Sequence, residues 1–131
     1  MRIHFIAIGG SIMHALAIDL QNQGHNITGS DDIIYNPARS NLFKAGILPK
    51  KEGWFINKID SSIDFIILGM HAKKDNPELL AARNKKIKIF SFPEFIAKKS
   101  KNKFKIVISG SHGKTTITSM IMHALRKNNI L

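Results

Sequence analysis

Ile3-His4-Phe5-Ile6-Ala7-Ile8-Gly9-Gly10-Ser11-Ile12-Met13 is an apolar run that breaks at a glycine pair and resumes with helical spacing. Ile3–Ile8 predicts a buried strand. Ser11–Gln23 predicts a helix with Met13, Leu16, Ala17 and Leu20 on one face, stopped by Gly24. A second strand is predicted at Asn26–Gly29, running into Gly29-Ser30-Asp31-Asp32. This is the first half of a dinucleotide-type fold: a glycine turn lets backbone approach a diphosphate at a helix N-terminus, and an acid about 20 residues on can meet a ribose hydroxyl. The strict G-x-G-x-x-G fingerprint is not met, because Ala7 and Ile12 occupy its first and third glycine positions. A tight strand-to-helix turn that binds nothing is the competing reading.

The alternation continues along the chain. Pro37 is expected at the first position of a helix that closes at Gly46, and Asp64–Gly69 reads as an apolar strand. Asn76-Pro77-Glu78 caps a further helix to about Lys85. Ile87–Phe90 reads as a strand, Pro93–Ser100 as a helix and Phe104–Ser109 as a strand. Strands apolar on both faces, alternating with helices, imply an α/β fold with a Rossmann-like, mostly parallel sheet and flanking helices. The lysine-rich Lys98–Lys103 stretch is the expected boundary, dividing residues 1–100 from residues 101–131. Trp54 reads as a core residue.

Phe104-Lys-Ile-Val-Ile-Ser-Gly110-Ser111-His112-Gly113-Lys114-Thr115-Thr116 has the layout of a nucleoside-triphosphate cradle. The turn N–H groups and the helix start would face phosphates, Lys114 would reach the outer ones, and the Thr115 hydroxyl would hold Mg²⁺. The general P-loop pattern asks for glycine at 108, where this chain has Ile108; a strand-to-helix turn that merely carries Lys and Thr is the alternative. The helix 114–127 places Ile117, Met120, Ile121, Ala124 and Leu125 in one stripe. That stripe is expected to pack on the first unit, pair with another chain or remain loosely ordered.

Composition narrows the field. The 131 residues suffice for one ordinary domain, and 44% hydrophobic content is usual for a globular chain. No run of about 18 apolar residues offers a membrane span. The absence of cysteine excludes disulfides and thiolate metal sites and fits a cytoplasmic protein. Six histidines form no i, i+4 helical pair, so a protein-only metal centre is not expected. The net charge of +11 comes from 16 Lys and 4 Arg that are scattered, without interleaved aromatics, so nucleic acid is not the expected partner.

Together, Ile8-Gly-Gly-x-x-Met13 with Leu16-Ala17, Gly29-Ser-Asp31, Asp75-Asn-Pro-Glu78, Pro93-Glu94 and Gly110-x-His-Gly-Lys-Thr-Thr116 resemble the Mur ligase family across the whole chain. These are the ATP-dependent amide-forming enzymes of peptidoglycan assembly, and the pattern is most similar to the branch acting on UDP-N-acetylmuramate. The resemblance implies a UDP-sugar-binding N-terminal domain over residues 1–100. Residues 101–131 would be the first strand, P-loop and helix of an incomplete ATP-binding domain.

It also implies site residues. Gly9, Gly10 and Ser11 would lie at the diphosphate, with Asp31 near the uridine and His71 on the UDP-sugar. Gly110, Ser111, His112, Gly113, Lys114, Thr115 and Thr116 would hold ATP phosphates, with Lys114 and Thr115 catalytic and Thr115 on Mg²⁺. In the family the γ-phosphoryl of ATP passes to the muramoyl carboxylate, and an amine then displaces phosphate. That amine would be L-alanine or the tripeptide L-Ala-γ-D-Glu-meso-diaminopimelate. Gly69-Met-His71 departs from the Ser-Ser-Ala type of segment of the alanine-adding enzymes and favours the tripeptide-adding relatives. The chain alone is not expected to complete ligation; a further chain could complete it. Two other readings remain: a non-catalytic UDP-sugar or nucleotide-binding module, and an NAD-dependent Rossmann protein.

Overall fold

The computed structural model describes residues 1–130, and the chain divides into two compact units, Met1–Lys99 and Ser100–Leu131. The first holds β1 (Arg2–Ile6), α1 (Ser11–Asn22), β2 (Asn26–Ser30), α2 (Ala38–Lys44), a 3₁₀ turn (Ile56–Lys58), β3 (Phe65–Leu68), α3 (Pro77–Asn84), β4 (Ile89–Ser91) and α4 (Phe92–Lys99). The second holds α5 (Lys114–Lys127).

The four strands form one sheet in the order β2-β1-β3-β4, with every pair parallel. Strand alternation sorts the core into two layers. Ile3, Phe5, Phe65 and Ile67 face α1 and α2, where Met13, Leu16, Ala17, Leu20 and Leu42 meet them. Ile6 and Ile66 point the other way, onto Leu79 and Ala82 of α3. Helices on both faces explain why Ile3–Ile6 of β1 and Phe65–Ile67 of β3 are buried throughout, as the apolar runs predicted.

Local capping sets the helix starts. The Asn76 side chain accepts from Glu78 N at 2.9 Å and Leu79 N at 3.1 Å, with Pro77 opening α3. Ser91 and Glu94 form a reciprocal capping box at α4: the Glu94 carboxylate accepts from Ser91 N at 2.7 Å, and Ser91 Oγ receives Glu94 N at 3.4 Å. The α2 helix corrects one expectation. Pro37 lies at its N-cap rather than inside its first turn, and the Asn36 side chain accepts from Ser40 N and Oγ instead.

A larger correction concerns Phe104–Ser109, which forms no strand. A strand exists through its ladder of hydrogen bonds, and among the described residues none of the sheet pairings includes this segment. Phe104 and Val107 are accordingly exposed. The stripe on α5 is likewise unburied: Ile117 and Met120 are exposed, and Ile121 and Leu125 only half-buried. No helix among the described residues is long and apolar enough to cross a membrane.

Candidate functional site

All strands being parallel, their C-terminal ends share one edge of the sheet. The chain leaves β1 toward β2 on one side and returns to β3 on the other, so the crevice between the ends of β1 and β3 is the topological switch point, where open α/β sheets take ligands. The turn Ala7–Gly10 and the segment Gly69–His71 flank it. A small cavity of about 80 Å³ there is lined by Gly10, Ser11, Met13, Met70, His71 and Phe92.

The turn is tightly built. Ala7 adopts φ 66°, a left-handed conformation that disfavours side chains, at the position where the dinucleotide fingerprint has glycine. A Cβ on Gly9 would lie 2.9 Å from Asp31 Oδ2 and 3.1 Å from Ile34, so close approach demands glycine there. Gly10 is the N-cap of α1, which has no side-chain cap and no acidic residue in its first turn. The N–H groups of Ser11, Ile12 and Met13 therefore open toward the crevice without helical acceptors, as an anion site requires.

Asp31 is buried, and both its oxygens are engaged by backbone: Oδ2 accepts from Gly9 N at 2.7 Å and Oδ1 from Asp32 N at 3.0 Å. Burial pushes its carboxyl up to about 6, against the lowering effect of the Gly9 N–H. The side chain thus braces the glycine turn. Exposed Asp32, which sequence reasoning passed over, instead lines an adjacent cavity of about 250 Å³ with Trp54, His71, Lys73 and Asp75. Trp54 is half-buried, packed against the α3-side core while also bordering this cavity. Ser11 and His71 are exposed.

Beneath this edge runs a polar network hidden from the sequence pattern. His4 occupies a β1 position facing α3 and is completely buried. Its Nε2 lies 3.2 Å from Glu78 Oε2 and its Nδ1 2.9 Å from Thr28 Oγ1. The other Glu78 oxygen accepts from Phe55 N at 2.7 Å. Burial resists ionisation of Glu78, but the hydrogen bonds from His4, Phe55 N and Ser30 outweigh it and hold the carboxyl below its usual range. Lys58 donates to Gly29 O at 3.2 Å and Ser30 Oγ at 3.1 Å, fastening the 3₁₀ turn to the end of β2. A buried histidine and a buried glutamate 74 residues apart give no local signal; only the sheet brings them together.

In the second unit, Gly110 has φ 148° and Gly113 φ 73°. Gly113 is the N-cap of α5, which lacks a side-chain cap and an acidic first turn. The Lys114 ammonium donates to Gly110 O at 2.8 Å, closing the turn on itself. Ser111, His112, Thr115 and Thr116 are exposed. The turn thus combines two glycines at positive φ with a helix start that carries no side-chain cap.

The model of the Mur ligase family, catalytic domain, matches residues 2–104. The UDP-N-acetylmuramate–L-alanine ligase of Clostridium beijerinckii is 38% identical over 98% of this chain and 28% of its own length. The murein peptide ligase of Psychrobacter arcticus superposes with a TM-score of 0.87 at 30% identity, over 98% of this chain and 27% of that one. The UDP-N-acetylmuramate–alanine ligase of Thermotoga maritima gives 0.80 at 29% identity, over 96% and 29%. The chain therefore spans under a third of the length of these relatives and matches alanine-adding and peptide-adding ligases alike. With the family model covering most of the sequence and the parallel sheet superposing on these structures, the chain belongs to the Mur ligase family.

Proposed function

We propose that this chain is the UDP-sugar-binding portion of a cytoplasmic ligase that joins UDP-N-acetylmuramate to L-alanine or to L-Ala-γ-D-Glu-meso-diaminopimelate with ATP and Mg²⁺. The observation that carries the reading is the uncapped start of α1 at the switch point, braced by Asp31, in a chain of this family. The diphosphate would lie against the N–H groups of Ser11 and Ile12, Gly9 and Gly10 allowing close approach. Gly9 N–H itself is committed to Asp31, so Asp32 and His71 at the neighbouring cavities are the side chains poised for the nucleoside or sugar.

Residues Gly110–Thr116 would take the ATP phosphates. Lys114 would leave the Gly110 carbonyl to neutralise charge on the outer phosphates, and Thr115 would supply one oxygen to Mg²⁺. Bound there, Mg²⁺ and ATP furnish the activated phosphoryl group and its charge neutralisation. The exposure of Phe104–Val107 supports a second reading, a UDP-sugar-binding module that does not use the second turn.

Calorimetric titration of the purified chain separates these. UDP-N-acetylmuramate should bind saturably and NAD⁺ should not; a Ser11→Pro change, which removes one N–H while keeping proline at a permitted helical position, should weaken binding of the UDP-sugar. ATP binding lost in Lys114→Ala favours the ligase portion, and UDP-sugar binding without ATP favours the module. Failure to bind UDP-N-acetylmuramate would overturn both.

A further inference from the structure

At the opposite, N-terminal edge of the sheet lies a cavity of about 480 Å³, far larger than the one at the switch point and unrelated to the ligase reading. Its floor is aromatic. Phe65 stacks on Phe95 with ring centroids 5.6 Å apart and meets Phe90 edge-on at 5.6 Å. Met1, Ile3 and Leu20 complete the apolar wall, and Gln23, His25, Asp64 and Lys99 stand at its rim with Lys88 and Lys98.

The mouth carries three lysines, Lys88, Lys98 and Lys99, against a single carboxylate, Asp64. The Lys88 and Lys98 ammonium groups lie 5.3 Å and 5.0 Å from the centroid of the same Phe90 ring. Neither has a carboxylate within ion-pair distance among the described residues. Their neighbours are already engaged: Lys99 reaches Asp19 at 3.4 Å, and the Asp64 carboxylate accepts from Arg2 N at 2.6 Å. Two like charges held beside one ring repel each other, and an anion between them would relieve that repulsion. An apolar cleft of this size with a few convergent charges is the usual form of a small-molecule site.

We propose that this cavity binds an amphiphilic carboxylate, its apolar body on Phe65, Phe90 and Phe95 and its carboxylate between Lys88 and Lys98. The complementarity follows from the lining: three phenylalanines face the apolar body, and three lysines outnumber the single carboxylate, Asp64, with Gln23 and His25 the other polar side chains.

The test is an amide-shift titration of the ¹⁵N-labelled full chain with decanoate, decanol and butyrate. Decanoate should produce saturable shifts confined to the lining segments: Met1–Ile3, Leu20–His25, Asp64–Phe65, Lys88–Phe90 and Phe95–Lys99. Decanol, with the same body and no charge, should bind about fivefold more weakly, the scale of two solvent-facing ion pairs. Butyrate should bind at least ~100-fold more weakly, since most of the apolar burial is lost. A K88Q/K98Q double variant, altering only exposed side chains, should lower decanoate affinity about fivefold and leave decanol unchanged. Equal affinity for decanoate and decanol, an unchanged double variant, shifts centred on Gly9–Ser11, or loss of spectral dispersion would each overturn the proposal. So would tighter binding of an acidic amphipathic peptide that displaces decanoate, which would assign the groove to a protein partner.

Discussion

Replacing Glu78 with leucine isolates what the buried network contributes. Leucine fills comparable space but accepts no hydrogen bond, so Phe55 N–H loses its 2.7 Å acceptor and the buried His4 ring loses its 3.2 Å partner. A buried polar group left without a partner costs about 1–3 kcal/mol. Removing one member of a fully buried charged contact costs ~3–5 kcal/mol. With two partners orphaned at about 1–3 kcal/mol each, the first figure is consistent with the second, so Glu78→Leu should destabilise the first unit by about 3–5 kcal/mol, a large share of the ~5–15 kcal/mol that holds a typical domain together. Urea unfolding followed by Trp54 fluorescence is the assay, since this sole tryptophan lies in the same unit and next to Phe55. The double variant His4→Leu/Glu78→Leu should cost at least ~1 kcal/mol less than the sum of the two singles, because it removes a pair rather than orphaning a member. A Glu78→Leu loss below ~1 kcal/mol, or strictly additive singles, would refute the account.

Two further outcomes follow from the glycine turn. Asp31 has a folded-state pKa raised to about 6 from its usual 3.8, so its contribution is fully present below that lower value and is lost as pH rises through about 6. Asp31→Asn should therefore flatten the decline in urea stability between those limits by about 1–3 kcal/mol, and parallel pH profiles for the two proteins would contradict the assignment. Ala7→Gly relieves a left-handed side chain at φ 66° and should raise stability by up to ~1 kcal/mol, after the added chain entropy of glycine is subtracted. Thermal unfolding of the variant at a lower midpoint would show that the Ala7 methyl, packed against Gly69, matters more than the strain.

Local pattern was enough to read the parallel α/β unit. The periodicity of Ile3–Ile8 and Phe65–Leu68, the glycine after α1 and the Asn76 cap are short-range signals, each carried by a few adjacent side chains. The two glycine turns ahead of α1 and α5 were legible for the same reason, since a glycine pair before a helix start is written in consecutive residues. Phe104–Ser109 marks the limit: β-branched composition states a preference, whereas a strand forms only where another strand supplies its hydrogen bonds. The role of Asp31 was hidden likewise, because spacing places an acid near the turn but does not say whether its oxygens face a ligand or the Gly9 N–H.

The sequence by itself determined which segments are helix or strand in the first unit, where the chain turns, and the family to which it belongs. The tertiary structure alone decided the pairing of His4 with Glu78, the use of both Asp31 oxygens by backbone, and the aromatic cavity at the far edge of the sheet. The division has one physical cause. Capping, turns and amphipathic spacing act over a few residues, whereas burial, desolvation and charge convergence arise only when distant segments meet.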